Sequence, residues 1–120
     1  MTGNHHSPVA VVDDDPAVLD SLKFFLELVG YKVGTYDSAM AFLEDRASRP
    51  ACLIVDQNMP QMTGLELAAK MRTQGMATPI LLISGALSSS IIAQAVRIGI
   101  EKVLGKPPAE ERSAELRQST

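Results

Sequence analysis

The chain has 120 residues, 46% of them apolar and 21% charged, which suits one domain with one core and argues against disorder. Eleven Lys and Arg against 14 Asp and Glu give a net charge of −3 with no basic block, which argues against a dedicated nucleic-acid surface. The single cysteine, Cys52, permits no intrachain disulfide, reads as a small buried hydrophobe and fits a reducing cytoplasm.

Residues 1–8 are polar and read as a flexible N-terminal segment, with His5 and His6 a solvated pair rather than a metal site. The apolar run that follows, Val9 to Val12, is too short for a signal peptide or a membrane span and reads as a strand buried on both faces. Asp15 then suits a helix cap, Pro16 the first helical position and Gly30 the stop. Val18, Leu22, Phe25, Leu26 and Val29 recur at helical spacing and predict the buried face of that helix. "YKVGTY" predicts a weaker second strand, and Ser38 caps a short helix carrying Met40, Phe42 and Leu43. "ACLIVD" predicts the third strand, "QNMPQMTG" a loop, and Thr63 the cap of a helix with Leu65, Leu67, Ala68 and Met71 on its apolar side. "ILLIS" is the fourth strand, Ser90 to Ile98 a helix stopped by Gly99, and "EKVLG" a short fifth strand ended by "KPP". The tail is helix-prone, with Leu116 its only large apolar residue, so it should dock weakly.

Strands alternating with helices at this spacing imply βαβ units and an α/β fold with a parallel sheet. In such sheets ligands bind beyond the carboxyl ends of the strands. The first strand ends on Asp13, Asp14 and Asp15, the third on Asp56, the fourth on Ser84, and the fifth on Lys106. Singly, each has an ordinary explanation: Asp15 caps a helix, Ser84 precedes a turn, Lys106 is a surface lysine. Jointly they suggest a site. Carboxylates converging in a cleft repel one another, and a hard divalent cation such as Mg²⁺ relieves the conflict. Asp56 can then act as an oxygen nucleophile toward a phosphoryl group, with Lys106 as a point charge and the Ser84 hydroxyl as a donor.

"VVDDDP" (Val11 to Pro16), "DQNMPQMTG" (Asp56 to Gly64), "SGA" (Ser84 to Ala86) and "GKPP" (Gly105 to Pro108) form a known pattern. The sequence resembles the receiver domain of two-component response regulators, the CheY-like family, from about Val9 to Pro108. The resemblance implies a doubly wound five-stranded parallel sheet in the order 2-1-3-4-5, a flavodoxin-like three-layer sandwich, with the domain over 9–118. It implies a histidine kinase or phosphotransfer protein as donor and Asp56 as phosphoacceptor. Asp14 would be a direct Mg²⁺ ligand, Asp13 one acting partly through water, Asp56 would itself also hold the metal, and Asn58 would offer its carbonyl. Ser84 would be the switch hydroxyl, Lys106 the partner of the phosphoryl group, and Lys106–Pro107 a bond often cis in the family. The chain departs from the family at Val103, where Tyr or Phe usually reports phosphorylation, and at Gly85, Gly105 and Pro108.

The expected function is therefore a phosphorylation-controlled signalling module of the cytoplasm, not an enzyme beyond its own phosphorylation and dephosphorylation. It would act through a downstream protein or a fused effector domain, with no direct contact to nucleic acid or membrane. The thin tail leans toward a piece of a longer regulator. The helix before the fifth strand has a wide apolar arc, so Ile91 or Ile98 could be partly exposed on a dimer face formed with the fifth strand and last helix. Two alternatives are a pseudo-receiver whose output ignores phosphate, and a phosphatase of the haloacid dehalogenase type. In the phosphatase, Asp13 would be the nucleophile, Asp15 the general acid, and Ser84 and Lys106 would bind phosphate.

Overall fold

Each helix begins where a side chain can take up an orphan backbone amide. In the computed structural model, which describes residues 8–106, Asp15 accepts from the Ala17 amide at 2.9 Å and Pro16 opens the first helix. Ser38 caps the second through the Ala41 amide, and Ser88 the fourth through Ile91. Thr63 and Glu66 form a reciprocal capping box on the third. Gly99, at φ +84°, takes the left-handed conformation that ends the fourth.

These caps and the β-branched runs between them set out β1 (Val9–Val12), α1 (Pro16–Leu28), β2 (Val33–Tyr36), α2 (Ala39–Glu44) and β3 (Cys52–Asp56). They continue with α3 (Gly64–Thr73), β4 (Ile80–Ser84), α4 (Ser89–Ile98) and β5 (Lys102–Gly105). The expected strands are found, but β2 is confined to the last four residues of its run, with the Lys32 carbonyl just ahead of it accepting from the Val9 amide at 2.8 Å. His5, His6, Pro107, Pro108 and the helix expected around Leu116 lie outside the described residues.

The five strands are parallel in the order β2-β1-β3-β4-β5, as the resemblance implied. The sheet buries both faces. On one, Val9, Val11 and Leu19 form a small cluster with Leu22, Leu26, Val33 and Ile54. On the other, Val12, Leu53, Val55, Ile80 and Leu82 meet Phe42 of α2, Leu67 and Met71 of α3 and Ala95 of α4. Helices on both faces make the three-layer sandwich.

One expectation about a helix face needs correction. Leu19, absent from the predicted stripe of α1, is its buried residue, while Phe25 and Val29 are 58% and 50% exposed. Helix α1 is apolar around most of its circumference, so its pattern did not fix which arc meets the sheet. On α4, Ala95 is the buried residue, Ile91 and Ile98 pack against the core while partly exposed, as expected, and Ile92 and Val96 stand further out, 45% and 71% exposed. Cys52 is only partly buried; burial pushes its thiol up, with the charge of Glu101 adding to the effect.

Candidate functional site

Register alone gathers the polar strand ends. Val12 pairs with Val55, so Asp13 and Asp56 emerge side by side from the sheet's carboxyl edge. Ser84 pairs with Gly105, and the Lys106 amide donates to the Ser84 carbonyl at 2.8 Å. The four strand ends thus bring Asp13, Asp14, Asp56, Ser84 and Lys106 to one edge. A cleft of about 710 Å³ lies at the opposite, amino edge, between the loops before β3 and β4, away from the carboxylates.

Carboxylate oxygens of Asp13, Asp14 and Asp56 lie within 4.8 Å of one another. Asp13 and Asp56 are buried and Asp14 is exposed, so the cluster opens to solvent on one side. Lys106 Nζ sits 2.9 Å from Asp56 Oδ1 and 3.7 Å from Asp13 Oδ2. Its contact with Asp56 is ionic and lacks the direction of a hydrogen bond. Asp56 Oδ1 is the buried side-chain polar atom without a hydrogen-bond partner among the described residues. A buried carboxylate oxygen left in that state is costly unless another positive group completes its shell.

The electrostatics agree. Burial raises the Asp13 carboxyl above its usual range; the Asp15 amide, donating at 2.9 Å, offsets part of this, and the charge of Asp56 adds to it. For Lys106, burial works to lower the ammonium, but contact with Asp56 and the charge of Asp13 outweigh it and the net shift is upward. Lys106 therefore stays charged. One ammonium facing three carboxylates leaves a deficit of positive charge, and an all-oxygen donor set suits a hard divalent ion. The residues present fit Mg²⁺. Asp15, the general acid of the phosphatase alternative, is instead engaged in capping α1.

The loops hold the acceptor in place. Gly64 opens α3 directly against the end of β3. A Cβ on it would lie 2.6 Å from Leu82 Cδ1 and 2.7 Å from the Asp56 carbonyl oxygen, so no larger residue fits without moving backbone. Gln57 Oε1 accepts from the Leu65 amide at 2.8 Å, tying the residue after Asp56 to the first turn of α3. Asn58, exposed in the same loop, has its side-chain nitrogen 3.8 Å from the Cβ position of Gly85. Ser84 is 1% exposed; its Oγ donates to the Ala86 carbonyl at 3.2 Å and accepts from the Ala86 amide at 3.3 Å. Sequence reasoning missed the contributions of Gly64 and Gln57. The Thr-Gly step at the head of α3 hinted at the first; nothing in the sequence marks the second.

A three-layer sandwich with an acidic cluster and a lysine at the carboxyl edge of a 2-1-3-4-5 sheet is the arrangement that the resemblance implied. The profile of the response regulator receiver domain matches residues 9–117. The transcriptional regulatory protein FixJ of Bradyrhizobium diazoefficiens is 34% identical over 93% of this chain and 54% of its own length. The response regulator protein TodT of Pseudomonas putida is 35% identical over 92% and 52%. Among solved structures, the crystal structure of FixJ-N superposes with a TM-score of 0.76 at 29% identity, covering 93% of this chain and 90% of that one. The chemotaxis protein CheY4 of Vibrio cholerae does so at 0.78 and 28%, covering 94% and 97%. The chain belongs to the response regulator receiver domain family of two-component systems. It spans about half the length of the curated relatives it matches.

Proposed function

We propose that Asp56 accepts a phosphoryl group from a histidine kinase or a phosphotransfer protein, and that Asp13, Asp14 and the Asn58 carbonyl hold Mg²⁺ beside it. The observation that carries this is the Asp56 carboxylate, 3% exposed, with Lys106 at 2.9 Å and an oxygen lacking any hydrogen bond. In the reaction a carboxylate oxygen of Asp56 attacks phosphorus in line and the donor's P–N bond breaks. The imidazole leaves and takes up a proton, and a mixed anhydride remains. Hydrolysis reverses the loading: water attacks phosphorus, the P–O bond to Asp56 breaks, and carboxylate and inorganic phosphate result. When bound, Mg²⁺ offsets the charge of the phosphoryl oxygens and of the carboxylates around them. Lys106 pairs with one phosphoryl oxygen, and the Ser84 hydroxyl turns to donate to another.

The site is open rather than enclosed, which suits a macromolecular donor presenting its phosphohistidine. No helix among the described residues is long and apolar enough to cross a membrane, and the domain is assigned to the cytoplasm with its donor. Output passes through a downstream protein or a fused effector domain. The face of α4 with β5 is the self-association surface, carried by the exposed Ile92 and Val96 beside the partly buried Ile91 and Ile98.

Intact mass after incubation with acetyl phosphate and Mg²⁺ tests the assignment. The wild type gains one phosphoryl group, Asp56→Asn gains none, and chelation of the metal abolishes the gain. An unmodified wild type, with no Mg²⁺ binding, would overturn it.

A further inference from the structure

We infer that Leu87, folded over Gly105, is the moving part that replaces the missing aromatic, and that the Ser84 hydroxyl drives it. The inference rests on the phosphoacceptor reading above.

Val103 cannot serve as the reporter. It is partly buried against the main core, and its β-branched side chain has no long arm to swing between inward and outward positions. The neighbouring loop is built for movement instead. Ser84 Oγ is bonded twice to Ala86, at 3.2 and 3.3 Å, both longer than a good hydroxyl bond. The hydroxyl has one proton. Given to a phosphoryl oxygen, where the bond is charge-assisted and roughly twice as strong as a neutral one, it is lost to the Ala86 carbonyl. Gly85, exposed and without a side chain, lets the chain turn there. Ala86 then keeps only its amide bond to the hydroxyl, at 3.3 Å, so it is drawn along as the hydroxyl turns, and Leu87 follows it directly.

Leu87 occupies space that any larger residue at position 105 would fill. A Cβ on Gly105 would lie 3.2 Å from Leu87 Cδ1 and 3.5 Å from Cγ. Yet Leu87 is 47% exposed, so the strand holds it on one side only and little burial is lost when it leaves. The strand beneath stays fixed, because Gly105 is in register with Ser84 and the Lys106 amide bonds the Ser84 carbonyl. Ser88, next in the chain, is the cap of α4. Departure of Leu87 therefore uncovers Gly105 and shifts the start of the helix that displays Ile92 and Val96. A phosphoryl group at Asp56 is read as a change in the shape of the α4–β5 face.

The test is ¹³C-methyl and amide NMR of the full chain with Mg²⁺ and beryllofluoride as phosphoryl mimic, beside intact mass with acetyl phosphate. In the wild type the Leu87 methyls and the Gly105 amide shift together when the mimic binds. Gly105→Val, which fills the space under Leu87, brings the Leu87 methyls close to the mimic-bound positions without any mimic. Leu87→Ala gains one phosphoryl group as the wild type does, but the Ile92 and Val96 methyls lose their response. Leu87 and Gly105 signals that stay still while the Ser84 and Lys106 amides report bound mimic would overturn the device and leave the phosphoacceptor reading standing. A wild type that gains no mass overturns both.

Discussion

At the scale of single residues, burial sets the character of the site. Asp13 is held above its ordinary carboxyl value of 3.8 by burial, with Asp56 adding to it. Its folded-state pKa exceeds its unfolded one, so the folded state gains as pH falls through the window between them. At neutral pH that gain is absent and the carboxylate costs stability. Asp13→Asn is therefore expected to raise the thermal midpoint of the metal-free protein at pH 7. The difference should shrink as the pH is lowered through the Asp13 window, and the variant should lose most of the stabilisation that Mg²⁺ gives the wild type. Melts across pH, with and without Mg²⁺, check both. Gly64→Ala puts a methyl against backbone that cannot yield and should cost about 1–3 kcal/mol in urea unfolding. Asp13, Asp56, Ser84 and Lys106 were legible in the sequence because each stands at the end of a short strand-like run, and strand ends in a parallel sheet share an edge. The closeness of Gly64 to Leu82 was not, since it depends on how steeply α3 leaves the loop.

At the scale of elements, caps were more legible than faces. Asp15, Ser38 and Thr63 have side chains that compete for backbone amides, which makes them visible one residue at a time. The burial of α1 through Leu19 rather than Phe25, and of α4 through Ala95 rather than Ile92, depends on neighbours that periodicity does not name. The attachment of α4 is a further case. Arg72 of α3, partly buried, donates to the carbonyls of Met76, Thr78, Ile98 and Gly99 at 2.8–3.2 Å and faces Glu101 at 3.7 Å. It pins the carboxyl end of α4 to α3 and to the loop before β4, while the amino end starts from the loop of Gly85 to Ser88. Arg72→Met should leave those carbonyls without their donor and cost about 2–3 kcal/mol, read by urea unfolding. Amide exchange should quicken at Ile98 to Glu101 more than at Val9 to Val12.

At the scale of the whole molecule, one edge of the sheet carries the chemistry and one face carries the consequence. Ile92 and Val96 stand outward on α4, next to the loop that Ser84 controls. If that face is the output, Ile92→Ser with Val96→Ser should abolish self-association induced by the phosphoryl mimic and leave phosphoryl uptake unchanged, as measured by sedimentation velocity and intact mass. Self-association that persists in the double variant would assign output to another surface. All of this depends on Asp56 being the acceptor. The most direct measurement is borohydride reduction of the protein after acetyl phosphate treatment, followed by peptide mapping. An acyl phosphate at Asp56 is reduced to homoserine, so the account predicts homoserine at position 56 and unmodified Asp13 and Asp14. Homoserine at position 13, or at no position, would contradict it.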